Sequence, residues 1–152
     1  MNPPDLDEMI ELLDHKDESL VGGNMIELHR EYSLADLVDV YVEAFYQLKN
    51  FPGRRDIAYW VGRYVKLQDN VFRMALHGIG DKSYIVRHHC CQILAFAQDD
   101  EALEHLNCHL EHKHKTTRED VAAAVDSIKC KNHNYFVDRG HTGRVFLDLG
   151  KI

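Results

Sequence analysis

The sequence predicts a mainly α protein in which antiparallel helical hairpins stack as a short α-solenoid, closed at the C-terminal end by a β-hairpin. Three observations carry this reading. Residues 83–112 hold two apolar stripes at helical period, Val86, Cys90, Ile93, Leu94 and Ala97 and then Leu103, Leu106 and Leu110. Only Gln98-Asp99-Asp100 joins them, a link so short that neighbouring helices must pack antiparallel. Val86 to Val121 and Ile93 to Ile128 are each spaced by 35 residues, with another unit roughly 30 residues upstream, which is a solenoid period. Residues 135–148 then change to alternation around the Gly140 to Gly143 loop, the pattern of a β-hairpin.

Taken in order, Pro3-Pro4 precede a helix that starts at Asp5, where Asp5 and Glu8 form a capping pair and Leu6, Met9, Ile10 and Leu13 make the inward face. Residues 15–32 carry no motif; Gly22-Gly23-Asn24 is a turn signal, and Met25 to His29 could be a short strand or the first turn of a helix. Ser33, with Asp36 three residues on, caps a helix through Lys49, whose inward face is Leu34, Leu37, Val38, Tyr41, Phe45 and Leu48. Phe51-Pro52-Gly53 ends it. Residues 54–66 place Ile57, Val61, Tyr64 and Val65 on one face; Asp69-Asn70 opens a second helix with Phe72, Ala75, Leu76 and Ile79, closed by Gly78 and Gly80. Past the central pair, Thr117 with Asp120 starts a helix carrying Val121, Val125 and Ile128. The predicted β-hairpin, residues 134–149, would cover the apolar face of the last repeat. Asp138, Arg139, His141 and Arg144 crowd its turn, where they could meet a phosphate or an acidic ligand.

The run Asp81, Val86-Arg87, Cys90 and Ile93-Leu94, followed by Ala102-Leu103, Leu106 and Leu110, resembles the HEAT repeat, and Arg118 to Ile128 repeats it more weakly. The resemblance covers residues 54–130 and implies a HEAT-like or armadillo-type helical stack. It departs from the family at Cys90-Cys91, where alanine is usual; free cysteine is small and apolar enough to serve.

Composition bounds the functions. One domain is expected from 152 residues, with 45% hydrophobic and 28% charged residues. No apolar run approaches the roughly 20 residues that span a bilayer, and Met1-Asn2-Pro3-Pro4 followed by acids is unlike a basic signal peptide, so a cytoplasmic protein is expected. Four cysteines, two of them adjacent, make no disulfide framework. Residues 1–50 hold 12 acidic and 3 basic residues, a balance of −9, whereas residues 51–152 balance to +2 with 13 acidic and 15 basic. That asymmetry argues against nucleic acid on the acidic face and for a basic protein partner.

The residue sets that could hold a metal or do catalysis are incomplete. His105, His109 and His112 recur at helical spacing near Cys108, but with no HExxH run and no carboxylate to orient an imidazole. His88-His89-Cys90-Cys91 point in four directions on a helix, so no thiol–imidazole pair follows. No phosphate loop or nucleophile elbow is present. The expectation is a non-enzyme without cofactor or metal.

The candidate partner-binding residues are Asp7, Glu8 and Glu11 of the first helix and Asp36, Asp39 and Glu43 of the next, the latter at i, i+3 and i+7. In architecture, size and charge the chain is similar to HEAT-like immunity proteins that neutralise bacterial toxins, including contact-dependent growth-inhibition toxins. The resemblance implies a carboxylate row seated where a nuclease-type toxin would bind phosphates. The alternative is an enzyme on the same scaffold, DNA glycosylase-like or lyase-like, using Arg54, Arg55, Arg63, Lys66, Arg73 and Arg87 with Trp60, Tyr59 and Tyr64 as stacking rings. A homo-oligomeric scaffold is a third reading.

Overall fold

A computed structural model describes residues 2–152. Among them form eight α-helices: α1 (Leu6–Leu13), α2 (Glu18–Glu31), α3 (Leu34–Phe45), α4 (Phe51–Val61), α5 (Asp69–Gly78), α6 (Tyr84–Ala97), α7 (Glu101–Asn107) and α8 (Lys115–Lys129). Two 3-10 turns follow α4 and α8, at Gly62–Tyr64 and His133–Phe136.

The helices form two layers. Each odd helix packs on the even helix after it, giving four antiparallel hairpins. Within layers, α1 packs on α3 and α3 on α5, while α2, α4, α6 and α8 contact in sequence. One continuous core, running from Met9 to Leu147, fills the space between them. The expected inward faces are buried or half-buried except at Leu110, which lies beyond the end of α7 and is exposed: Met9 and Leu13 on α1, Leu37, Val38, Tyr41 and Phe45 on α3, Ile57 and Val61 on α4, Val86, Cys90, Ile93 and Leu94 on α6. The four cysteines are free; Cys90 and Cys91 lie in the core and Cys108 and Cys130 outside it.

A repeated polar device fixes the geometry of the stack. Arg54, Arg87 and Arg118 are each the fourth residue of an even helix, and each donates from Nη1 to the carbonyl six residues back: Leu48 at 3.0 Å, Asp81 at 2.7 Å and His112 at 2.8 Å. The guanidinium thus satisfies carbonyls in the turn that leads into its own helix. The first two also reach the next hairpin. Arg54 grips Asp81 with Nε and Nη2 at 2.8 and 3.0 Å, and Arg87 Nε donates to Thr117 Oγ1 at 2.9 Å. Asp14 does a similar service between α1 and the α3–α4 turn, accepting from the amides of Lys49 and Asn50.

Five expectations are corrected. The C-terminal β-hairpin does not form; no strand is present among the described residues. Residues 133–136 make a 3-10 turn instead, and the Asp138 carboxylate takes the amides of Thr142 and Gly143 and the Thr142 hydroxyl, at 2.8 to 2.9 Å, which a strand pair would have left for its ladder. Asn134 Oδ1 accepts from the Leu147 amide at 2.9 Å, so the tail is held by side chains while Leu147 packs into the core.

Residues 18–31 are helical. Asp17 caps them, accepting from the Ser19 and Leu20 amides, and Gly22 and Gly23 lie inside the helix. Phe51-Pro52-Gly53 opens α4 rather than ending α3, which stops at Phe45. Proline is suited to a first turn because the amide it lacks would be unpaired there. The cap of α8 is His114, and Thr117 and Asp120 are buried within that helix.

The phase of the hairpins also differs. The chief partners of α6 are α4, α5 and α8, and α7 packs on α8, so residues 83–112 bridge two hairpins instead of making one. Gln98, in the left-handed conformation at φ 56°, turns the chain out of the even layer. Even helices start at residues 18, 51, 84 and 115, intervals of 33, 33 and 31. The 35-residue spacing joins Val86 of α6 to a valine one helical turn too far along α8.

Candidate functional site

All six predicted carboxylates are exposed. Asp7, Glu8 and Glu11 stand on α1, whose first turn is capped by Asp5 accepting from the Glu8 amide at 2.9 Å. Asp36, Asp39 and Glu43 stand on α3, capped by Ser33. Helices α1 and α3 pack against each other in the odd layer, so the two sets belong to neighbouring helices of one face of the stack. Early carboxylates are favoured at helix N-termini, which accounts for Asp7, Glu8 and Asp36 without a partner. Asp39 is tied inward, its Oδ1 accepting from Asn70 Nδ2 of α5 at 3.0 Å. Asp36, Glu43 and the α1 carboxylates make no ion pair among the described residues.

Of the cations of the enzyme reading, Arg54 and Arg55 line one groove, at the N-terminal ends of α2, α4 and α6, and the other four do not join them there. Arg54 and Arg87 are buried, bonded to turn carbonyls and to the next hairpin. Arg63 lies over Trp60 and donates to the Lys151 carbonyl, Lys66 lies over Phe96, and Arg73 pairs with Asp69 and Glu101. Trp60 is half-buried, its ring edge-on to His29 at 4.4 Å and to Tyr59 at 5.2 Å.

The histidine stripe does not share one helical face, because α7 ends at Asn107 and His109 and His112 fall in the turn beyond it. His112 Nδ1 accepts from the His114 amide at 3.0 Å. The buried thiols of Cys90 and Cys91 are pushed up by burial, away from the thiolate that chemistry would need.

Of the residues expected at the hairpin turn, Asp138, Arg139 and His141 have structural work, while Arg144 is exposed. Buried Asp120 on α8 accepts from His88 Nδ1 of α6 at 2.9 Å and from Arg139 Nη2 of the tail at 2.8 Å. Burial would raise its carboxyl, but these two donors outweigh that and hold it below the usual range. His141 stacks on Tyr135 at 3.7 Å and its Nε2 lies 2.6 Å from Asp126 Oδ2. With Cys130 these form a trio whose ligand atoms lie within 4.8 Å of one another, the donor types that suit zinc. The imidazole already bonds the carboxylate there.

One cavity went unread in the sequence. A groove of about 980 Å³ runs across the N-terminal ends of α2, α4 and α6. Lys16, Lys49, Lys82, Arg54 and Arg55 line it, against one carboxylate, Glu18, which pairs with Arg55. Lys16, Lys49 and Lys82 make no ion pair among the described residues. Phe51, Pro52, Tyr84 and Ile85 supply its apolar wall. The three lysines come from three separate turns, each two residues before an even helix, so no local motif announced them. Their signal was the interval: Lys16, Lys49 and Lys82 stand 33 residues apart.

No helix among the described residues is long and apolar enough to cross a membrane. Comparison of the chain with protein-family models, with curated proteins and with solved structures found no match.

Proposed function

We propose that the chain is a non-catalytic protein-binding module of HEAT-like architecture that works in the bacterial cytoplasm as an immunity protein, binding and neutralising a basic, nuclease-type toxin domain. The observation that carries the reading is the placement of six exposed carboxylates on two adjacent helices of one layer, in the third of the chain that balances to −9. Such a surface draws in a cationic partner and sets its orientation, because complementary potentials act on encounter before contact is made. A toxin cleft built to hold phosphates offers the matching field. The recurrence of an arginine at the fourth position of α4, α6 and α8 supports the repeat architecture.

Co-expression with candidate nuclease-type toxin domains tests it. Wild-type chain restores growth and co-purifies with the toxin. Asp36→Lys with Glu43→Lys, both exposed and remote from the core, should lose rescue and co-purification while keeping the helical circular dichroism of the wild type. Rescue undiminished by the double reversal removes the acidic face from the interface.

A further inference from the structure

We infer that the groove across the N-terminal ends of α2, α4 and α6 is a binding site for a phosphorylated small molecule of about nucleotide size. Its volume, about 980 Å³, is at the upper end of small-molecule sites, which run from roughly 300 to 1,000 Å³. Three lysines without ion pairs ring it, one from each of three successive turns, and they repeat a position of the stack. Lys113 holds the same place before α8, yet lies outside the groove. Residues 1–50 contain only three cations, and two of them, Lys16 and Lys49, are spent here.

Other features of the groove favour phosphate with an organic body. Asp5, Asp17, Ser33 and His114 cap their helices, whereas Asn50 and Ser83, at the starts of α4 and α6 beside the groove, make no side-chain cap bond, as is also the case at α5 and α7 away from it. The first-turn amides of α6, and that of Phe51 in α4, where Pro52 has none, take no side-chain cap and can meet a compact anion, and lysine point charges complement it. His89 lines the same groove with Nδ1 buried and unpartnered. Phe51 and Tyr84, 37% and 53% exposed, and the intervening Pro52 and Ile85 give a planar or apolar body somewhere to lie. A long polyanion such as nucleic acid is disfavoured, because Glu18 sits in the lining and the rest of residues 1–50 repels it.

Calorimetric titration of the full chain with inorganic pyrophosphate, adenosine triphosphate and citrate, at low ionic strength, tests the assignment. Saturable one-to-one binding of both phosphate compounds is expected, tighter for the triphosphate, with citrate weaker than either. Lys49→Ala with Lys82→Ala should weaken the triphosphate about tenfold, in line with the loss of two exposed charge contacts. Lys113→Ala, equivalent in the repeat but outside the groove, should leave it unchanged. Absence of saturable binding, citrate equal to pyrophosphate, a triphosphate no tighter than pyrophosphate, or a double lysine variant that binds like the wild type overturns the proposal. The test is independent of the acidic face, whose residues lie outside the groove lining.

Discussion

Arg54 and Asp81 carry more of the fold than their surface counterparts because both are nearly dry. Their side chains are 11% and 9% exposed, and removing one partner leaves the other charge buried without compensation. Asp81→Ala should therefore cost about 3–5 kcal/mol in urea unfolding. The Glu27–Arg30 pair on α2 is 62% and 69% exposed, and Glu27→Ala should cost less than about 0.5 kcal/mol by the same measurement. Gly53 is constrained by space: a Cβ there would sit 2.5 Å from the Leu13 carbonyl oxygen, a backbone atom that cannot swing aside. Gly53→Ala is expected to cost about 1–3 kcal/mol of stability, read as a lowered urea unfolding midpoint. Titration adds a pH dependence. Burial first, with Arg63 for His29 and His88 for His89, holds both imidazoles below their ordinary value, so the fold keeps them neutral. Below about pH 6.5 the unfolded chain takes up protons that the fold refuses, and stability falls as pH drops from there. The depressed Asp120 acts lower, contributing above about pH 3.9 and losing that contribution as pH falls through its folded value. Urea midpoints should thus be lower at pH 5.5 than at pH 7.5, and replacing His29 and His89 by glutamine should narrow the gap; equal midpoints would contradict the sign.

Among the elements, α2 is the one whose sequence argues against it. Gly22 and Gly23 lie within its helical backbone, and a Cβ at either would meet nothing within 4 Å. Gly22→Ala and Gly23→Ala should each stabilise the chain by about 0.5–1 kcal/mol, read as a raised thermal midpoint. The paired glycines hid this helix from a reading that takes such pairs as turns, and its weak apolar face, only Val21, Met25 and Leu28, offered little to set against them. The tail beyond α8 misled in the opposite direction. Alternating Val145, Phe146 and Leu147 around glycines has strand character, yet Val145 and Phe146 are exposed and only Leu147 is buried. The Asp138 carboxylate closes the first loop of the segment and consumes its amides, while Asn134, Asp120 and the buried Leu147 hold the rest. Asp138→Ala should loosen the loop at residues 139–144, seen as faster hydrogen exchange at Thr142 and Gly143 and new trypsin cleavage at Arg139 and Arg144, with the helices unchanged and Leu147 still anchored.

The whole molecule is a stack whose local order was legible and whose phase was not. Leu37, Tyr41, Ile57, Val86, Ile93 and Ile128 announce their faces because helical period is a local property of the chain. Which helix pairs with which is decided by turns such as Gln98 and by arginines bonded to carbonyls six residues back, and neither shows in apolar spacing. The lysines at 16, 49 and 82 did mark the 33-residue interval, but a match between Val86 and Val121 one helical turn away masked it. The candidate acidic residues were legible as exposed positions of α1 and α3; the groove was not, since it exists only once three turns lie side by side. At this scale the stack joins an anionic odd-layer face to a cationic edge, and the first of these carries the proposed function. Association kinetics between the purified chain and a basic nuclease-type toxin domain, measured at low and at physiological salt, test that claim most directly. Electrostatic steering by the α1–α3 face predicts an association rate that falls steeply with salt and falls again in the Asp36→Lys, Glu43→Lys variant. A rate indifferent to both salt and charge reversal would contradict it.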